Sequence, residues 1–206
     1  MTSTQEPIAK PGRADAAASA PTTSAPTAGD APPARPRSLV FLHWLTVLLL
    51  VIVGTLALTR DEVSGRAARQ WLLEGHRHVG LLVLALAAIR IAMRIRLRPW
   101  RSIETSPLLR AVAWLTHAAL YLLLLAMPLI GWALSNAEGK PVHWLGLTLP
   151  TLVMDDEDLA DRLLAWHQGV AVALLALIAL HAGAALWHHF VRRDEVLRLM
   201  WRRRHD

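Results

Sequence analysis

From Leu163 to Val191 the chain runs for 29 residues without a charged side chain, and within that run His167 and His181 stand 14 residues apart. Soluble domains rarely contain such a run, whereas about 20 apolar residues are enough to cross a hydrocarbon core of roughly 30 Å. On a helix the interval between the two histidines is about 21 Å of rise, and in the 3.5-residue frame of a packed bundle it is four whole turns. Both imidazoles therefore point to one side at two depths. Between them that face carries Val170, Ala171, Leu174, Leu177 and Ile178, all aliphatic.

Three further apolar runs set the architecture. Ser38 to Thr59 has 22 residues without a charge and is a first span, with His43 near its start. After a polar stretch from Arg60 to Arg77, a weaker apolar run extends from His78 to about Ile95. It is interrupted by Arg90 and Arg94, close enough to its far end for their long side chains to reach the interface. A third span, Leu108 to about Leu134, contains His117, and Pro128 with Gly131 should kink or loosen its last turns. The expected fold class is all-α: an integral membrane four-helix bundle over residues 38–191. Met1 to Arg37 is rich in Ala, Pro, Ser and Thr and lacks both a large apolar cluster and the apolar core of a signal peptide, so a disordered tail is expected there. Residues 192–206 form a basic tail.

The distribution of basic residues predicts the orientation. Arg90 to Arg110 holds six arginines against one Glu, and six more arginines follow Val191. Ser135 to Arg162 instead has Lys140 and Arg162 against six acids, including the run Asp155 to Asp158. By the positive-inside rule both termini and the connection between spans two and three are cytoplasmic. The net charge of +6 is thereby accounted for as a topology signal, which makes nucleic acid a poor partner. Cysteine is absent, so disulfides, iron–sulfur clusters, thiolate metal sites and thioether-linked haem are excluded.

Orientation then assigns depths. His43 enters from the cytoplasm and His78 from the outside. His167 lies near the outer end of span four, and His181 near the cytoplasmic boundary. At the outer level His78 can face His167; at the inner level His43 can face His181. Two depth-matched pairs of imidazoles are what two six-coordinate haems b require, one nitrogen on either side of each ring. Ala184 and Ala185 would leave room for a porphyrin beside His181. Gly80, Gly169 and Gly183, each two residues past a proposed ligand, are expected at close helix contacts on the opposite side. Other readings stand beside this one. Each histidine could be a packing residue, and zinc held by histidine alone is possible, although His167 and His181 are too far apart to share an ion. His76 could replace His78, although it sits closer to water with Arg77 beside it. His117 could be packing, second-shell or quinone-binding, while His143, His188, His189 and His205 fall at interfaces or in tails.

The motifs resemble those of the bacterial cytochrome b561 family, four-helix dihaem proteins related to the cytochrome b subunits of membrane hydrogenases and formate dehydrogenases. The matching residues are F-L-H-W around His43, H-V-G at His78, H-x-x-L-Y from His117 with M-P-L-I-G, G-L-T-L-P from Gly146 to Pro150, W-H at His167, and L-H-A-G-A-A-L-W-H-H from Leu180. The resemblance covers about Pro36 to Arg204. It implies axial ligands on spans one, two and four, hence His43, His78, His167 and His181, and a location in the bacterial inner membrane.

For function the resemblance implies electron transfer between a donor on the outer side and the quinone pool. Superoxide oxidation with reduction of ubiquinone is the first expectation. Arg66, Arg69, Arg77 or Lys140 would supply a positively charged approach, and a quinone site near the inner haem would involve Arg90 or His117. Arg90 could instead snorkel or neutralise a haem propionate. The alternative is an electron-carrier subunit docked to a periplasmic dehydrogenase or hydrogenase through the acidic loop. A non-redox membrane scaffold is the third reading.

Overall fold

Four long helices follow from the four apolar runs, because a bilayer offers no water to unsatisfied backbone groups and a helix satisfies them within one segment. They are α1 (Arg37–Glu62), α2 (Arg66–Leu97), α3 (Pro107–Ala137) and α4 (Glu157–Trp187), and a π-helical turn, His188–Arg192, continues α4. The structure, a computed structural model, describes residues 1–2, 37–97 and 106–193. All four helices lie in one unit, Pro33–Asp206. The tails expected at 1–37 and 192–206 fall mostly outside the described residues. Each helix is long and apolar enough to cross a membrane, and the shortest, at 26 residues, rises about 39 Å. Helix α2 starts at Arg66 rather than His78, since the segment before His78 is made largely of good helix formers such as Ala, Arg, Gln, Leu and Glu.

Helix α1 packs on α2, α2 on α3, and α3 on α4. Close backbone packing of comparable extent is absent between α4 and either α1 or α2 among the described residues. The α1–α2 turn and the α3–α4 connection lie at one end of the bundle, here the loop end. The starts of α1 and α3 and the ends of α2 and α4 form the terminal end. A buried core of Leu49, Val83, Leu86, Ala87, Leu124 and Leu174 fills the middle. Leu174 is seven residues from both His167 and His181. The aliphatic residues named on the same face of α4 are its partly or fully buried ones, while Val172, Leu175 and Leu180 point outward. Outward apolar side chains are stable here because lipid surrounds them.

Between α3 and α4 the chain forms a small cap that the apolar pattern gives no sign of. Strands β1 (His143–Trp144) and β2 (Leu147–Thr148) pair antiparallel, His143 opposite Thr148. Leu145 and Gly146 between them both have positive φ, 50° and 82°, as a two-residue hairpin turn of the right twist demands. The G-L-T-L-P motif is this turn and its second strand. Asn136, buried at the end of α3, accepts from the Leu152 amide at 2.9 Å and donates to the Lys140 carbonyl at 3.4 Å. The Asp156 amide donates to the Ala137 carbonyl at 3.0 Å, tying the cap's far end to its near end. Asp156 also caps α4, accepting from the Leu159 amide at 2.8 Å, and Glu157 and Asp158 occupy the first turn, where the helix dipole favours acids. The acidic run therefore has a structural task as the start of a helix.

Candidate functional site

At the loop end, α4 and α2 face each other through two imidazoles. The rings of His167 and His76 have centroids 6.2 Å apart at an interplanar angle of 68°. His76 Nδ1 donates to the Val53 carbonyl of α1 at 3.0 Å, which places the proton on Nδ1 and leaves the Nε2 lone pair available. Sequence reasoning places His78 opposite His167, whereas the ring packed against His167 in the structure is that of His76. His78 donates through Nδ1 to the Glu74 carbonyl of its own helix at 2.8 Å. Two residues along a helix is a turn of about 200°, so when His76 faces α4, His78 faces away from it.

Gly131 of α3 makes room for His167. A Cβ at that position would stand 3.0 Å from His167 Cε1 and 3.4 Å from Nδ1. The glycine of M-P-L-I-G thus serves the imidazole, and α3 continues as a helix through Pro128 to Ala137. His167 Nδ1 is buried and makes no hydrogen bond. The Met127 carbonyl, one turn before Gly131, is the acceptor near it. Gly80, Gly169 and Gly183 do not make the close contacts expected of them: an added Cβ would meet nothing within 4 Å at any of the three. Gly80 is half-buried on the His76 face of α2, one turn beyond that histidine, and Gly169 and Gly183 are exposed on α4.

At the terminal end, His43 of α1 and His181 of α4 have ring centroids 6.4 Å apart at 50°. His117 of α3 stands closer to His181, 5.1 Å away and edge-on at 82°. Its Nδ1 donates to the Ala113 carbonyl at 2.6 Å. Arg90 and Arg94 of α2 both lie against Tyr121 of α3, their guanidinium carbons 5.6 Å and 5.4 Å from the ring centroid. Arg90 is also near enough for its charge to act on His181. Tyr121 is the chain's single tyrosine and is one helical turn beyond His117.

These distances discriminate. A metal–imidazole bond is about 2 Å and the ring centre lies about 1 Å behind its nitrogen, so two imidazoles on opposite sides of one metal have centroids roughly 6 Å apart. The His76–His167 and His43–His181 pairs have that separation. His117 and His181, at 5.1 Å, are too close for that opposed arrangement. Among the described residues no group of three or more His, Asp or Glu is placed to hold a bare ion. Two-point attachment suits a metal that brings its equatorial ligands with it, as a porphyrin does. Both pairs span the gap where α4 does not pack on α1 or α2, which is where a flat macrocycle would lie. The residues present therefore fit haem.

Surroundings of the loop-end pair are charged and largely neutralised. Arg77, whose side chain is 12% exposed, pairs with Glu74 at 2.9 Å and with Glu138 at 3.9 Å, and Lys140 pairs with Glu138 at 2.8 Å. Around the α1–α2 turn an open cavity is lined by Arg60, Arg66, Arg69, Ser64, Gly65 and Gln70.

Comparison with known proteins shows the family. Residues 34–203 match the family described as prokaryotic cytochrome b561. The chain is 35% identical over 165 residues to the "Probable superoxide oxidase CybB" of Yersinia pestis, covering 79% of this chain and 93% of that one. It is 30% identical over 171 residues to "Cytochrome b561 homolog 1" of Escherichia coli (strain K12), covering 82% and 97%. With "Cytochrome b561 homolog 2" of the same organism it shares 31% over 163 residues, covering 77% and 86%.

Proposed function

This chain belongs to the prokaryotic cytochrome b561 family of membrane cytochromes, and on that premise we propose that it carries electrons between two haems b from a donor at the loop end to a quinone at the terminal end. His76 and His167 would hold the loop-end haem, and His43 and His181 the terminal-end haem. The observation that carries this reading is the pair of cross-bundle imidazole contacts, 6.2 Å and 6.4 Å, at two levels set by one 14-residue interval on α4. Haem iron supplies a reversible one-electron change when bound.

The protein's own residues do the rest. The hydrogen bond from His76 to Val53 fixes the tautomer and orientation of one ligand. Gly131 leaves the space that seats the His167 ring. Between the levels, Leu174 and the core around it exclude water, so charge crosses a dry interval. With the termini cytoplasmic, as the arginine distribution indicates, the loop end faces outward.

Superoxide is the donor we propose, and ubiquinone the acceptor. The relative from Yersinia pestis bears the name of a superoxide oxidase. The arginine-lined cavity at the α1–α2 turn attracts small anions to the end where His76 lies. Arg77 and Lys140, expected as part of that approach, contribute less because Glu74 and Glu138 neutralise them. The test is superoxide-driven ubiquinone reduction by the purified full-length protein in liposomes. Turnover without any added protein is expected. Absence of turnover with both haems present would contradict superoxide as donor and indicate a subunit fed by a partner dehydrogenase.

A further inference from the structure

Arg90 lies 14 residues after His76 on α2, the same interval that separates His167 from His181 on α4. The face of α2 that presents an imidazole at the loop end therefore presents a guanidinium at the terminal end. That guanidinium is half-buried, in a helix segment that crosses the membrane. A cation so placed needs an anion, since desolvation without a partner costs several kcal/mol. Among the described residues no carboxylate stands at this level. Every described carboxylate belongs to the loop end: Asp61, Glu62 and Glu74 around the α1–α2 turn, and Glu138 with the acids from Asp155 to Asp161 around the cap. Arg90 meets the face of Tyr121 instead, sharing it with Arg94. An aromatic ring orients a cation but does not cancel its charge. Haem b carries carboxylates of its own, and planar bidentate pairing with carboxylate is what guanidinium does best.

We propose that Arg90, held on Tyr121 beside His181, is the cation that receives a carboxylate of the terminal-end haem and thereby makes that haem the better electron acceptor of the two. The proposal rests on the dihaem reading above. A positive group near iron favours the reduced, less positive state, whereas at the loop end Arg77 and Lys140 are offset by Glu74 and Glu138. For a unit charge some 10 Å from the iron at an effective permittivity of about 20, the equilibrium for electron transfer between the haems changes about tenfold. The asymmetry directs electrons from the loop end toward the terminal end.

The test is a spectroelectrochemical titration of the purified protein and of R90Q and R90K, with haem per chain measured on each sample. The haem absent from His181→Ala identifies the terminal-end component. In R90Q that component should become harder to reduce, shifting the haem-to-haem equilibrium about tenfold toward the loop end. R90K should recover most of the shift, because it restores charge without the planar fork. If R90Q loses the terminal-end haem while R90K keeps it, the charge is needed for retention, as proposed. Both haems retained with an unchanged equilibrium in R90Q would overturn the proposal, and so would loss of that haem from R90Q and R90K alike, which would show a packing role. Fewer than two haems in the unaltered protein would instead break the dihaem reading itself.

Discussion

The loop-end and terminal-end levels hold imidazole pairs of nearly equal separation, 6.2 Å and 6.4 Å, in unlike surroundings. The loop end has carboxylates, and its half-buried Arg77 is paired with two of them. The terminal end has no described carboxylate, a third imidazole, His117, against its α4 ligand, and Arg90 and Arg94 on one tyrosine. On the dihaem reading proposed above, equal coordination with unequal electrostatics would give the two irons different tendencies to hold an electron. That difference would let the bundle carry charge in one direction.

The largest effect that would sharpen this comparison comes from the two histidines of α2. His76→Ala should remove the loop-end haem altogether, whereas His78→Ala should leave both haems in place. Haem quantification checks both, and loss of a haem from His78→Ala with retention in His76→Ala would reverse the assignment. Next in size is Gly131→Ala. The added Cβ would press on His167 at 3.0 Å, an overpacking penalty of about 1–3 kcal/mol that falls on the loop-end haem alone. Selective loss or a shifted spectrum of that haem is expected, and equal perturbation of both would break the separation of levels. Asn136→Ala should cost about 1–3 kcal/mol by leaving the Leu152 amide without its acceptor. Thermal unfolding should show this loss, with the terminal-end spectrum unchanged before unfolding. Smallest is Asp156→Ala, which removes the α4 cap at about 1 kcal/mol and should leave both haem spectra unaltered.

Much of this organisation is legible in the sequence, and the exceptions have physical causes. Long apolar runs announce the four helices, because within a bilayer a helix satisfies its own backbone groups. The 14-residue interval on α4 announces two levels, since side-chain direction on a helix follows from counting. His78 was the expected partner because the apolar run of α2 begins there, but the helix itself begins at Arg66 and a boundary in polarity does not say which face points inward. Gly80, Gly169 and Gly183 are expected at tight helix contacts, yet each has open space beside it, and the residue type alone does not tell a contact from a gap. The hairpin stayed hidden because Leu145 takes a positive φ that Gly, Asn or Asp would have signalled. Tyr121 carried no sequence signal beyond its place in H-x-x-L-Y, since its role comes from two arginines on another helix.

The two-level account rests most directly on which histidine holds which haem. Reduced-minus-oxidised spectra with haem quantification on the purified protein, His167→Ala and His181→Ala test it in one experiment. Two haems per chain are expected in the unaltered protein and one in each variant, with the surviving haem differing between the variants in spectrum and potential. Loss of the same haem from both variants, or one haem or none in the unaltered protein, would contradict it.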